Sequence, residues 1–212
     1  MCAHNMGSMD TIERDAEIQE LVEFLAEPIK EVRLAFDSGI SYAEMKLAGE
    51  RKDPWLWANL ARFNAHEALV ALNPEGWSVA GLANCGVKIS KGHLTVRVLK
   101  RFGSGAPHPG SNQARKAFWS QMTPEPPLPL LVEGRLLRSA VHLILDWDAG
   151  ADQKVNLELV KPVGAWKYLE RQRVEWAVGL VVGNDEKLSF VGAHEPLDID
   201  SRYDAGELQA GD

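Results

Sequence analysis

The sequence predicts an α+β fold, with N-terminal helices packed on a mostly antiparallel β-sheet of about five to seven strands. Three observations predict it. Apolar residues recur every three or four positions through residues 10–73, the period of a helix with one buried stripe. From Gly86 onward the period falls to two, that of a half-buried strand. Helices come first and strands afterwards, which argues against the strict alternation of a doubly wound parallel sheet. With 212 residues, 45% hydrophobic and 25% charged, the composition is that of an ordinary globular domain.

The first eight residues, MCAHNMGS, read as an expression remnant ahead of a natural start at Met9. Residues 9–194 are expected to form a single domain, helical over 10–73 and strand-rich over 80–192. Residues 195–212 hold six acids against Arg202 and read as an acidic, partly disordered tail. With the remnant set aside, Cys85 is the remaining cysteine and cannot form an internal disulfide, so a reducing cytoplasm is expected. No apolar run approaches the roughly 18 residues of a membrane helix. No pattern calls for an organic cofactor.

Within the helical part, Ile18, Leu21, Val22, Leu25, Ile29, Val32 and Phe36 share one stripe. Asp10 with Glu13 can cap its start, and Pro28 kinks it or opens a second helix by removing an amide donor. Asp37-Ser38-Gly39 reads as a stop, and Ser41 with Glu44 as a capping box for a short helix over 42–48. Asp53-Pro54 pairs a cap residue with proline at the first helical position. That helix runs through Trp55, Leu60, Phe63 and Leu69 to Asn73-Pro74. Seven Trp against three Tyr predicts a Trp-rich core.

In the strand-rich part, Val87 and Ile89 alternate with Lys88 and Ser90, and Leu94, Val96 and Val98 with Thr95 and Arg97. A turn at Lys91-Gly92 would set Ile89 against Leu94 and Val87 against Val96. The Gly/Pro-rich loop Gly103–Gly110 leads to a short helix from Ser111 through Trp119, and PEPPLP at 124–129 is a stiff connector. His142–Asp148 and Lys154–Lys161 form a second hairpin, with Asp146 expected opposite Asn156, Asp148 opposite Lys154 and Glu158 beside Ile144. Further strands are expected near 174–182 and 188–191.

Charge carries the functional reading. Residues 76–124 contain no Asp or Glu but hold Lys88, Lys91, Arg97, Lys100, Arg101, Arg115 and Lys116, so this stretch is +7 in a chain of −7, and the remainder is −14. A basic face on an acidic protein suits an anionic partner, nucleic acid or an acidic protein. The expectation is a non-enzymatic binding or regulatory protein that docks this partner through those seven residues, with the acidic segments 10–27 and 195–212 available to mask them. GSGAPHPGSN lacks the GK[ST] of a nucleotide-binding loop, and no GxSxG or HExxH occurs.

A second reading gathers His142, Asp146 and Glu158 around a divalent cation in a metal-dependent hydrolase or nuclease, since hard cations take carboxylates and tolerate imidazole. Against it, Glu158 and Lys161 are three apart and point to opposite faces of a strand. A third reading is an inhibitor- or antitoxin-like protein that binds its partner through the N-terminal helices, favoured by helical surface left apolar after folding.

Overall fold

A computed structural model describes residues 6–47, 53–72, 74–82, 86–92, 94–101, 107, 113–121, 130–132, 135–137, 142–150, 152, 154–165, 172–182 and 188–194. The helices are α1 (Met6–Phe24), α2 (Ala26–Lys46), α3 (Pro54–Leu72) and α4 (Gln113–Trp119). The strands are β1 (Ser78–Leu82), β2 (Gly86–Lys91), β3 (Leu94–Lys100), β4 (Leu130–Val132), β5 (Arg135–Leu137), β6 (His142–Ala149), β7 (Val155–Pro162), β8 (Val174–Val182) and β9 (Leu188–His194). Seven strands form one sheet in the order β1-β2-β3-β6-β7-β8-β9, and β4 with β5 forms a separate hairpin. Every pairing is antiparallel except β3 with β6. The α+β architecture with N-terminal helices stands. Among the described residues no helix is long and apolar enough to cross a membrane.

The predicted stripe is buried as expected: Ile18, Leu21, Val22, Leu25, Ile29, Val32 and Phe36 all lie in the core. Pro28 falls in the first turn of α2, where a missing amide costs least. The expected stop at 37–39 and the short helix after it do not occur, because α2 runs through both. The polar and small residues there serve other elements. Asp37 Oδ1 accepts from the Val155 amide of β7 at 2.7 Å, tying helix to sheet. A Cβ on Gly39 would lie 2.3 Å from the Ala61 carbonyl oxygen, so glycine sets the approach of α2 to α3. Glu44 accepts from Trp57 Nε1 at 3.0 Å instead of capping. Asp53 does cap α3, its Oδ1 accepting from the amides of Trp55 and Leu56 at 2.8 and 3.2 Å.

Both hairpin registers differ from expectation by two residues. Ile89 pairs with Val96 and Val87 with Val98, so the ladder extends to Lys91 opposite Leu94, with Gly92 at φ 56°. Asp146 pairs with Glu158 and Asp148 with Asn156, because the turn closes one step later, the Gly150 amide donating to the Lys154 carbonyl at 2.7 Å. A slip of two keeps every side chain on its predicted face. One face carries Val87, Ile89, Val96, Val98, Leu143, Leu145, Trp147, Leu157, Leu159, Trp176, Val178 and Leu180 against α1–α3. Trp147 is at its centre, 4.7 Å from the Phe36 ring and 6.1 Å from that of Trp57. Trp57, Trp77, Trp119, Trp147 and Trp176 are buried, and Trp55 is 72% exposed.

Candidate anion-binding face

The other face of the sheet presents, by strict alternation, Lys88 and Ser90 from β2, Thr95, Arg97 and Leu99 from β3, His142, Ile144, Asp146 and Asp148 from β6, and Asn156, Glu158 and Val160 from β7. The parallel β3–β6 pair requires a crossover, and α4 lies on it. Phe118 and Trp119 of α4 close over Ile144 and Val160 in a small second core. Trp119 Nε1 donates to the Pro107 carbonyl at 2.8 Å. Past the helix, Gln121 adopts φ 55° and its amide spans two strands. It donates to the His142 and Pro162 carbonyls at 2.7 and 2.9 Å and accepts from the His142 amide at 3.1 Å. These bonds fasten α4 to the sheet beside the basic hairpin.

Arg97 sits where strand and helix meet. Its guanidinium carbon lies 4.6 Å from the Phe118 ring centre and 5.9 Å from that of Trp119, within cation–π range. Its Nε is buried with no acceptor. Burial, and then the charge of Arg115, lower its pKa from the usual arginine value. Lys88 is its cross-strand partner, and Lys116 stands in the last turn of α4. Among the described residues no carboxylate forms an ion pair with Lys88, Arg97 or Lys116.

The seven predicted cations therefore do not form one surface. Lys88, Arg97, Arg115 and Lys116 gather around the β2–β3 hairpin and α4. Lys91 and Lys100 point to the helical side. There Lys91 Nζ lies 5.4 Å from the Phe24 ring and 5.5 Å from that of Trp77, and Lys100 Nζ lies 5.4 Å from that of Trp57. Arg101 is engaged by acids: its Nη2 donates to Asp146 Oδ1 at 2.6 Å and to Glu158 Oε2 at 3.0 Å, and its Nε to Asp146 Oδ1 at 3.1 Å.

Asp146 is completely buried, and no donor reaches its Oδ2. Burial pushes its pKa up to about 7. Arg101 pulls it back through a hydrogen bond and its charge, while the neighbouring Glu158 carboxylate adds to the rise.

His142 is not part of this cluster. It is four residues from Asp146 on the same strand face, about 13 Å at the ordinary strand rise. Its ring stacks on Phe118 at 4.3 Å and its Nδ1 lies 3.2 Å from the Phe118 carbonyl oxygen. Burial lowers its pKa, and the charge of Arg97 lowers it further, against the Phe118 hydrogen bond. The predicted His142, Asp146 and Glu158 trio is thus not assembled, and Arg101 fills the space between the two carboxylates. Among the described residues no three His, Cys, Asp or Glu side chains could hold a metal ion. Cys85, His93, the tail 195–212 and the loop 103–110 apart from Pro107 lie outside the described residues. Sequence reasoning missed Arg101 as the partner of both acids, 45 and 57 residues away. Comparison of the chain with protein-family models, curated proteins and solved structures found no match.

Proposed function

We propose that this protein binds a phosphate-bearing polymer, single- or double-stranded nucleic acid, on the face formed by Lys88, Arg97, Arg115 and Lys116. The observation that carries the reading is Arg97: a guanidinium held against an aromatic ring, half-buried, with a buried Nε lacking an acceptor. Burying a cation without an acid costs folding energy, and a phosphate meeting the part of this half-buried guanidinium that stays exposed would offset that cost through charge-assisted hydrogen bonds. Phe118 and Trp119 are buried under α4, so neither offers a stacking platform for bases. Recognition is then by backbone charge, with little sequence preference and a steep loss of affinity with salt.

Fluorescence anisotropy with labelled DNA and RNA, from low to physiological salt, tests the proposal. If Z is about four, the log–log salt slope is about −3 to −4. Lys88→Glu with Lys116→Glu, both outside the core, should abolish capture, and Arg97→Glu should do the same. Lys100→Glu, which changes the charge as much as Arg97→Glu does but on the opposite face, should leave capture close to wild type. No binding at low salt, or equal loss in the Lys100 variant, would overturn the proposal.

A further inference from the structure

We propose that His142 takes up a proton when the basic face binds its polyanion, so that capture tightens as the pH falls. The inference rests on the docking reading and names how that face is regulated. Phe118 of α4 is the shared platform. The His142 ring stacks on it at 4.3 Å with 17° between the planes, and the Arg97 guanidinium carbon lies 4.6 Å from the same ring centre. In the parallel β3–β6 pair His142 is opposite Thr95 and Arg97 is opposite Ile144, so the two side chains are diagonal neighbours on one face.

The hydrogen bonds decide which nitrogen titrates. Nδ1 lies 3.2 Å from the Phe118 carbonyl oxygen, which can only accept, so Nδ1 carries the hydrogen of the neutral ring and Nε2 the lone pair. Among the described residues nothing hydrogen-bonds Nε2, and it is not one of the atoms sealed from solvent without a partner. A proton therefore adds at Nε2.

The surrounding charges make that step depend on a ligand. β3 brings Arg97, β2 Lys88, and α4 Arg115 and Lys116. On the same strand Asp146 is about 13 Å away and held by Arg101. Glu158 of β7 is held by the same arginine, and Glu175 of β8 by Lys161. Burial lowers the His142 pKa and the charge of Arg97 lowers it further, against the Phe118 hydrogen bond. A phosphate beside Arg97 offsets that repulsion and accepts from the Nε2–H of the imidazolium. By linkage, each unit by which the polyanion raises the His142 pKa returns as tenfold in affinity. The gain is complete below the pKa of the free protein and gone above that of the complex.

NMR of the imidazole Cε1–H signals across pH 5–8, with and without oligo-dT, reads this site directly, because thymine does not titrate in that range. His142→Asn assigns the signal by removing it. The His142 pKa should rise by about one unit in the complex. Anisotropy with rhodamine-labelled oligo-dT at fixed salt should then show about tenfold tighter binding near the acid end of that range than at the alkaline end. His142→Asn, whose amide can still donate to the Phe118 carbonyl, should lose most of that gain, and Asp146→Asn should keep it. Binding with an unchanged His142 pKa, or an equal gain in His142→Asn, would overturn this inference and leave the docking reading standing. No binding at either end of the range would overturn both.

Discussion

Arg97 and Arg101 stand four residues apart on the same face of one strand line, each half-buried, and have opposite surroundings. Beside Arg101, β6 and β7 place Asp146 and Glu158 in register. Burial lowers the pKa of Arg101, but the Asp146 hydrogen bond and the charges of Asp146, Glu158 and Asp148 outweigh it, and the net shift is upward. Beside Arg97, the same strands place Ile144 and Val160 in register, under Phe118. Burial there is uncompensated and the shift is downward. The role of a buried guanidinium is thus set by what the adjacent strands carry within its reach. One arginine completes the fold; the other is left with hydrogen-bonding capacity for something outside it.

The comparison breaks most sharply at Arg101. Arg101→Ala leaves a buried carboxyl and its neighbour with no cation, and removing one partner of such a cluster costs about 3–5 kcal/mol. Urea denaturation at neutral pH should show that loss, and a change below about 1 kcal/mol would mean the cluster is not holding the sheet. Arg101→Lys keeps the charge but loses the planar fork that reaches both acids, so its loss should be intermediate.

Next in size is the pH dependence. Asp146 has a folded pKa near 7, raised from 3.8, so between those values the native state holds a proton that the unfolded chain has lost. Unfolding stability therefore falls as pH rises through this window and levels off above it. At about 1.36 kcal/mol per unit the contribution is at most roughly 4 kcal/mol. Asp146→Asn cannot titrate and should flatten the decline in melting free energy between pH 5 and 8. A wild-type profile already flat there would remove a protonated Asp146 from the account.

Local periodicity made most of the fold legible. The helical stripe, the Asp53 cap and both hairpins follow from side-chain alternation, which survives even where the register moved by two. What local reasoning cannot see is a residue serving a distant element. Asp37, Gly39 and Glu44 look like termination and capping signals because those residue types favour helix ends. Here they meet Val155, Ala61 and Trp57 instead. The same holds for the site. Charge counting found the basic stretch but not its division between two faces, which follows from the alternation of Lys100 and Arg101 at the end of β3. The Arg101–Asp146 contact depends on a parallel pairing across a long crossover, and nothing near either residue encodes it.

The smallest stability change should come from Arg97, and it sharpens the contrast most. Arg97→Gln gives up a cation–π contact of about 0.5–2 kcal/mol. It also removes a buried charge that lacks an acid and lies near Arg115. The two terms oppose each other, so the melting free energy should stay within about 1 kcal/mol of wild type, against several for Arg101→Ala. Polyanion capture should nonetheless drop by an order of magnitude or more, because a charged fork makes bidentate contacts that a neutral amide does not. A loss of stability comparable to that of Arg101→Ala would show that Arg97 is structural after all, paired through its Nη groups or needed to seat Phe118. Retained stability with lost capture would separate the two arginines as the strand register predicts: a single face of β3 then holds one guanidinium for the fold and one for a ligand.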